Sequence, residues 1–169
     1  MIFAPTAGAY GFQPHGSICR MKNAEASTAL AVGDVVVTNV GNTTYTFPPT
    51  NDSQAAASPF ANVVLAEGDQ ALHNGFIGVV VDVGAFSGAA GTDVLVQFGG
   101  TALAKVTATS AVARGTRLIV SDTVGNGLDP AAAQGTGTNV AAIALAPLAS
   151  GTSTIQVLLN PGLWTSTFV

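Results

Sequence analysis

Charge is what this sequence has least of. Five Lys and Arg and nine Asp and Glu make up 8% of 169 residues, against about 25% in an ordinary soluble domain. A compact monomer of this mass would expose roughly 7,600 Å², or about one charge per 540 Å². A free surface so thinly charged favours association, so copies of the chain or another protein are expected to cover much of it. The five cations form no patch beyond Arg20/Lys22 and Arg114/Arg117. Phosphate backbones need such a patch, which argues against nucleic acid as a partner.

Other residue types are equally scarce. One cysteine, Cys19, excludes an internal disulfide and fits assembly in a reducing cytoplasm. Two histidines, His15 and His73, give no paired His/Cys spacing for zinc. No apolar run of eighteen residues suggests a membrane span. The first residues, MIFAPTAGAYGFQPHG, lack the basic and apolar regions of a secretory signal, so none is expected.

What is plentiful is valine, alanine and glycine in short alternating runs. The stretch from Phe76 to Val106 reads as strand, glycine-rich turn, strand, glycine pair, strand. Ile77, Val79, Val81 and Val83 share one face of its first run, and Phe76, Gly78, Val80 and Asp82 the other, because strand side chains alternate. Val94, Val96 and Phe98 oppose Asp93, Leu95 and Gln97. In the third run Ala104 and Val106 point inward, Lys105 and Thr107 outward. GAFSGAAG is too glycine-rich for a helix, and Gly99–Gly100 reads as a two-residue hairpin turn. Further strands are expected over 32–40, 62–66, 116–120, 140–145 and 155–159, with a short return at 43–46. No ten-residue stretch keeps a capped helical period. The expected fold is all-β, a small barrel or sandwich of about eight short strands. Residues 1–31 read as an N-terminal arm, 32–160 as the barrel domain with an inserted loop at 43–61, and 161–169 as a C-terminal tail.

The chemistry-bearing residues form no convincing set. A Cys19–His15 pair lies four apart in the arm with no orienting acid or oxyanion hole in sight. Asp82 and Asp93 flank the glycine loop and could meet across a hairpin, where two carboxylates would do acid–base work or hold calcium; solvated strand ends are the simpler reading. GAFSGAAGTD lacks the Gly-Lys-Ser/Thr ending of a phosphate loop. Arg114 and Arg117 read as solubilising surface charge or as an ion pair to a neighbouring subunit. No catalytic residue, metal ligand or cofactor is expected. The large side chains instead gather in the termini, where Phe3, Tyr10, Phe12, Trp164 and Phe168 have little local core to fill. Together with Arg20 and Lys22 they are the candidate partner contacts.

The succession of motifs resembles the phage capsid decoration, or cement, proteins with a small β-barrel of the β-tulip kind. The matching stretches are GDVVV (33–37), IGVVV (77–81), VLVQFGG (94–100), AVARGTRL (111–118), the glycines 125 and 127, IAL (143–145) and IQVLL (155–159). The resemblance implies a virion structural protein without enzymatic activity, a homotrimer on the capsid exterior bound to the major capsid protein. The alternative is a head-fibre or tail-associated module recognising a host-surface glycan, which would want aromatics beside Asp, Asn or Gln on the barrel.

Overall fold

A computed structural model describes residues 18–38, 62–66, 77–123, 125, 127–130 and 140–159. The fold is all-β, as expected, and it closes twice. β1 (Ile18–Asn23), β2 (Val35–Thr38), β3 (Asn62–Leu65), β4 (Ile77–Asp82) and β5 (Asp93–Gln97) form one closed barrel. β6 (Gly100–Ala108), β7 (Arg117–Val120), β8 (Leu128–Pro130), β9 (Ala142–Ala144) and β10 (Gly151–Leu159) form a second. Ten strands are described where about eight were expected, and they close into two small barrels of five.

The two barrels are the same motif. Around the first, strands run β1-β3-β2-β4-β5; around the second, β6-β8-β7-β9-β10. Each has one parallel pair, first strand to third, and the remaining pairs are antiparallel. The agreement extends to single hydrogen bonds. A turn before β2 is closed by Asp34 N–H to Ala31 C=O at 3.0 Å, and one before β7 by Thr116 N–H to Ala113 C=O at 3.2 Å. Each carries a positive-φ glycine, Gly33 at 95° and Gly115 at 87°, which only glycine adopts without strain. Gly33 N–H donates to Val80 and Val80 N–H to Asp34; Gly115 N–H donates to Ala144 and Ala144 N–H to Thr116.

Gly99–Gly100 is not a hairpin turn. β5 pairs with β1 and β4, whereas β6 pairs with β10 and β8. The glycine pair is the crossing from one barrel to the other. Gln97 holds it, donating from Nε2 to the carbonyls of Gly99 (2.7 Å) and Thr101 (3.0 Å).

Of the expected arm 1–31, the part described begins with a strand of the first barrel. Residues 18–23 are a barrel strand, paired with β5 over five positions and in parallel with β3. Met21 and Asn23 point inward, while Arg20 and Lys22 stay exposed. Half the strand's side chains are polar, so it has no apolar alternation to read. Residues 1–17, the loop at 43–61 and the tail at 161–169 lie outside the described residues.

Two cores follow from the two closures. One joins Met21, Leu30, Val36, Val63, Leu65, Val80, Val94 and Val96. The other gathers the inward row of the second barrel, including Ala104, Val106, Leu118, Leu128 and Val157, and extends to Val35, Val37 and Val79 of the first. β2 and β4 are therefore buried on both faces: Val79 and Val80 are both wholly inaccessible and belong to different cores. Inside the first barrel, Gly78 leaves room for Phe98, which packs against that core. A Cβ on Gly78 would meet the Phe98 ring at 2.9 Å.

Between the barrels sits Gly33. Its carbonyl accepts from Lys105 N–H of β6 at 2.8 Å, while its own N–H is bound to Val80 of β4. Lys105 Nζ lies 3.8 Å from Asp34 Oδ1. The barrels are thus fastened by a backbone hydrogen bond and an ion pair as well as by a shared core.

Candidate functional site

The residues with chemical potential are dispersed. Asp82 Oδ1 accepts from Gly84 N–H at 2.9 Å, and Asp93 Oδ2 faces Arg20 Nε at 3.6 Å. The two carboxylates each serve their own strand end and do not form a pair. Among the described residues no three of His, Cys, Asp and Glu come together to hold a metal, and no helix is long and apolar enough to cross a membrane. Cys19 is exposed on β1; His15 and His73 lie outside the described residues.

One acidic group has an unusual setting. Asp129 of β8 has a buried carboxylate oxygen, Oδ1, with no hydrogen-bond partner among the described residues. Burial pushes its pKa above the ordinary value of 3.8; the Ser121 hydroxyl bonded to it opposes that rise, and the Asp122 charge adds to it. A carboxyl with a raised folded-state pKa binds its proton more tightly when folded, so it costs nothing below the unfolded value. The penalty sets in as pH rises through the folded value and is complete above it. Asp129→Asn is therefore expected to raise the melting temperature at pH 7 by about 1–2 °C, a small gain because the side chain keeps some solvent. The gain should vanish near pH 3, which melting curves across that range will check.

Of the expected partner contacts, Arg20 and Lys22 are placed on the outer face of β1, and Arg20 reaches Asp93 in an exposed pair. Such a pair contributes little to stability, so both cations are available to a partner. Phe3, Tyr10, Phe12, Trp164 and Phe168 lie outside the described residues.

Two surfaces escaped the sequence reading. On the second barrel, Leu158 lies opposite Ile143 on one side and Thr101 on the other, and Leu103 is the next outward residue along β6. Leu103, Leu158 and Ile143 are all exposed, so strand register assembles an apolar row across β9, β10 and β6. Its signal was present in the alternation of β10, where Ile155, Val157 and Leu159 claim the inside and leave Leu158 facing out.

The second surface is the loop between β4 and β5. A 3-10 turn spans Gly84–Phe86 and ends on Ser87 in the left-handed region, at φ 51°. Phe86 is 71% exposed, the most exposed large hydrophobic side chain described. The loop beneath it is firmly held. Gly88 C=O accepts both Asn23 Nδ2 (2.8 Å) and Leu30 N–H (2.9 Å). Asn23 Nδ2 also donates to Thr28 C=O, and its Oδ1 accepts from Glu25 N–H. Gly91 N–H donates to Asn23 C=O, and Thr92 Oγ1 to Ala89 C=O.

No family model matches the chain, and no curated protein matches it.

Proposed function

We propose that the protein is a structural component of a phage virion, a cement subunit that acts as a homotrimer on the capsid exterior and contacts the major capsid protein. The observation that carries this reading is the apolar row Leu103, Leu158 and Ile143 on a molecule with so little charge. The three side chains offer an apolar strip to a second copy of the chain, with the exposed Arg117, opposite Ile143 on β7, at its border, as in an apolar contact with a polar rim. The resemblance in motif order supports the virion setting, and the rigidly joined barrels suit a part whose work is mechanical. Its mechanism would be area: a trimer seated where several capsid subunits meet must be peeled away before they can separate, and its contacts act together.

In this reading the aromatics of the arm and tail, Phe3, Tyr10, Phe12, Trp164 and Phe168, add contacts with Arg20 and Lys22. A truncation that tests the arm must end at residue 17, because Ile18 onward builds the first barrel. Light scattering on the purified protein is expected to give the mass of three chains. Leu158→Asp should yield a monomer with an unchanged circular dichroism spectrum, since the side chain points away from the core. A wild-type protein that stays monomeric at tens of micromolar, about the scale that populates a micromolar oligomer, and that fails to sediment with heads assembled without it, would overturn the reading.

A further inference from the structure

The repeat fixes which residues of the two barrels correspond. Gly33 and Gly115 close the same turn, so Val35 and Val37 of β2 correspond to Arg117 and Ile119 of β7. Val79, opposite Val35, corresponds to Ile143, opposite Arg117. The parallel pairs equate Asn23 of β1 with Val106 of β6, and so Lys22 with Lys105 and Arg20 with Leu103. Asp93 of β5 stands opposite Lys22 as Thr154 of β10 stands opposite Lys105.

Corresponding positions differ in burial. Val35, Val37 and Val79 belong to the core that continues into the second barrel, and each is at most 2% exposed. Gly33, in the turn beside them, is buried as well. It meets the β6–β10 side of the second barrel: its carbonyl takes the Lys105 N–H, and a Cβ on it would stand 3.2 Å from the Thr154 side chain. On the second barrel the same face is open. Ile143 is 38% exposed, Ile119 is half-buried, and Gly115 and Arg117 are exposed. The junction within the chain is therefore head-to-tail, the β2–β4 face of one barrel against the β6–β10 side of the other. A contact between unlike faces leaves one face of each kind unused at the two ends of the row. Here the unused pair is the β7–β9 face of the second barrel and the β1–β5 side of the first.

We infer that these two surfaces meet between copies: the β7–β9 face of one chain docks on the β1–β5 side of the next chain's first barrel. The occupant is a second copy because the chain already seats a barrel of this plan on the corresponding face. Charge agrees with the fit. Asp93, in the place of Thr154, comes to Gly115, which has the exposed Arg114 before it and the exposed Arg117 two residues after it. Asp93 is held at present only by Arg20 in an exposed pair. Lys22 comes to Thr116, where Lys105 meets Asp34. Arg20 takes the position of Leu103, which stays exposed beside the internal junction, so this cation remains at the rim. Lys22 is paired with Asn62 of β3, so side chains carry the contact between chains. A head-to-tail contact can close into a ring, and three chains give a ring of six barrels. The inference rests on the homotrimer reading above and names its interface.

The test is cross-linking with a short bis-maleimide in Cys19→Ala protein carrying one new cysteine, Lys22→Cys or Thr116→Cys. Each protein alone is expected to give no linked dimer, and trimers assembled from a mixture of the two should give one. Arg117→Glu should raise the dissociation constant of the trimer about tenfold or more, and adding Asp93→Lys should restore it. Melting curves check that the variants are folded. Wild type that is monomeric and leaves heads undecorated defeats the cement reading and this inference with it. A trimer whose mixed cysteines stay unlinked defeats the inference alone. So does wild type that decorates heads as a monomer with no link between copies. A trimer that survives Arg117→Glu but is dispersed by Leu158→Asp would place the self-contact on the β6–β10 side and overturn it.

Discussion

Gly88→Ala is expected to lower the melting temperature by roughly 10 °C. Two penalties add at this residue. Its φ of 66° is left-handed, which costs a residue with a Cβ about 1–2 kcal/mol. That Cβ would also run into the Leu30 carbonyl, and the carbonyl belongs to backbone held by its own hydrogen bonds. Forcing atoms into a filled space costs a further ~1–3 kcal/mol, and each kcal/mol moves a domain of this size by about 2–4 °C. Gly84→Ala separates the two causes. Gly84 has φ 61° but nothing within 4 Å of a Cβ, so it should lose only the conformational part. Differential scanning calorimetry on the two variants measures the difference, and equal losses would show that the Leu30 contact relaxes freely.

The second large effect is expected at Val79. Its side chain is inaccessible and belongs to the core that spans both barrels. Val79→Asp would bury an unpaired charge, and losses above about 4 kcal/mol come from such events. Because this core includes residues of β2, β4, β6, β7 and β10, the damage should reach the second barrel although the substitution is in the first. Urea titration of wild type should show one cooperative transition, and the variant should be unfolded at urea concentrations where wild type is intact. A variant that lost only half the β signal, keeping the second barrel folded, would show that the barrels are energetically separate.

The sequence disclosed strands best where one face is buried and the other is wet. In β6, Ala104 and Val106 are buried while Lys105 and Thr107 are half-exposed, so period-two alternation and structure coincide. The reading weakened where both faces are buried, since IGVVVD gives no alternation that could separate a wall of one core from a partition between two. It failed at β1, whose inward pair is Met21 and Asn23. A buried asparagine that satisfies its polar atoms against distant backbone cannot be told from a surface one without the fold. The glycine pair at 99–100 had the composition of a hairpin, yet composition fixes the local bend and not which strands meet beyond it. The repeat was hidden for a related reason: the halves share backbone hydrogen bonds and a turn glycine, while barrel interiors accept any apolar set of similar volume. Large aromatics gather in the termini and read as candidate contacts there, whereas the exposure of Phe86 depends on loop length and anchoring, which composition does not carry.

The repetition within one chain has a consequence for how the molecule can change. Two barrels meeting as separate identical molecules would carry every substitution twice, so a side chain useful on one face would appear on its mate as well. Joined through Gly99 and Gly100, the halves keep a fixed one-to-one proportion at any dilution, and each can vary alone. The second barrel can retain the short 145–150 link and an apolar flank while the first carries the longer loop. A shape with nearly repeated architecture thereby presents two unlike ends, and direction is built into a molecule whose backbone plan has none.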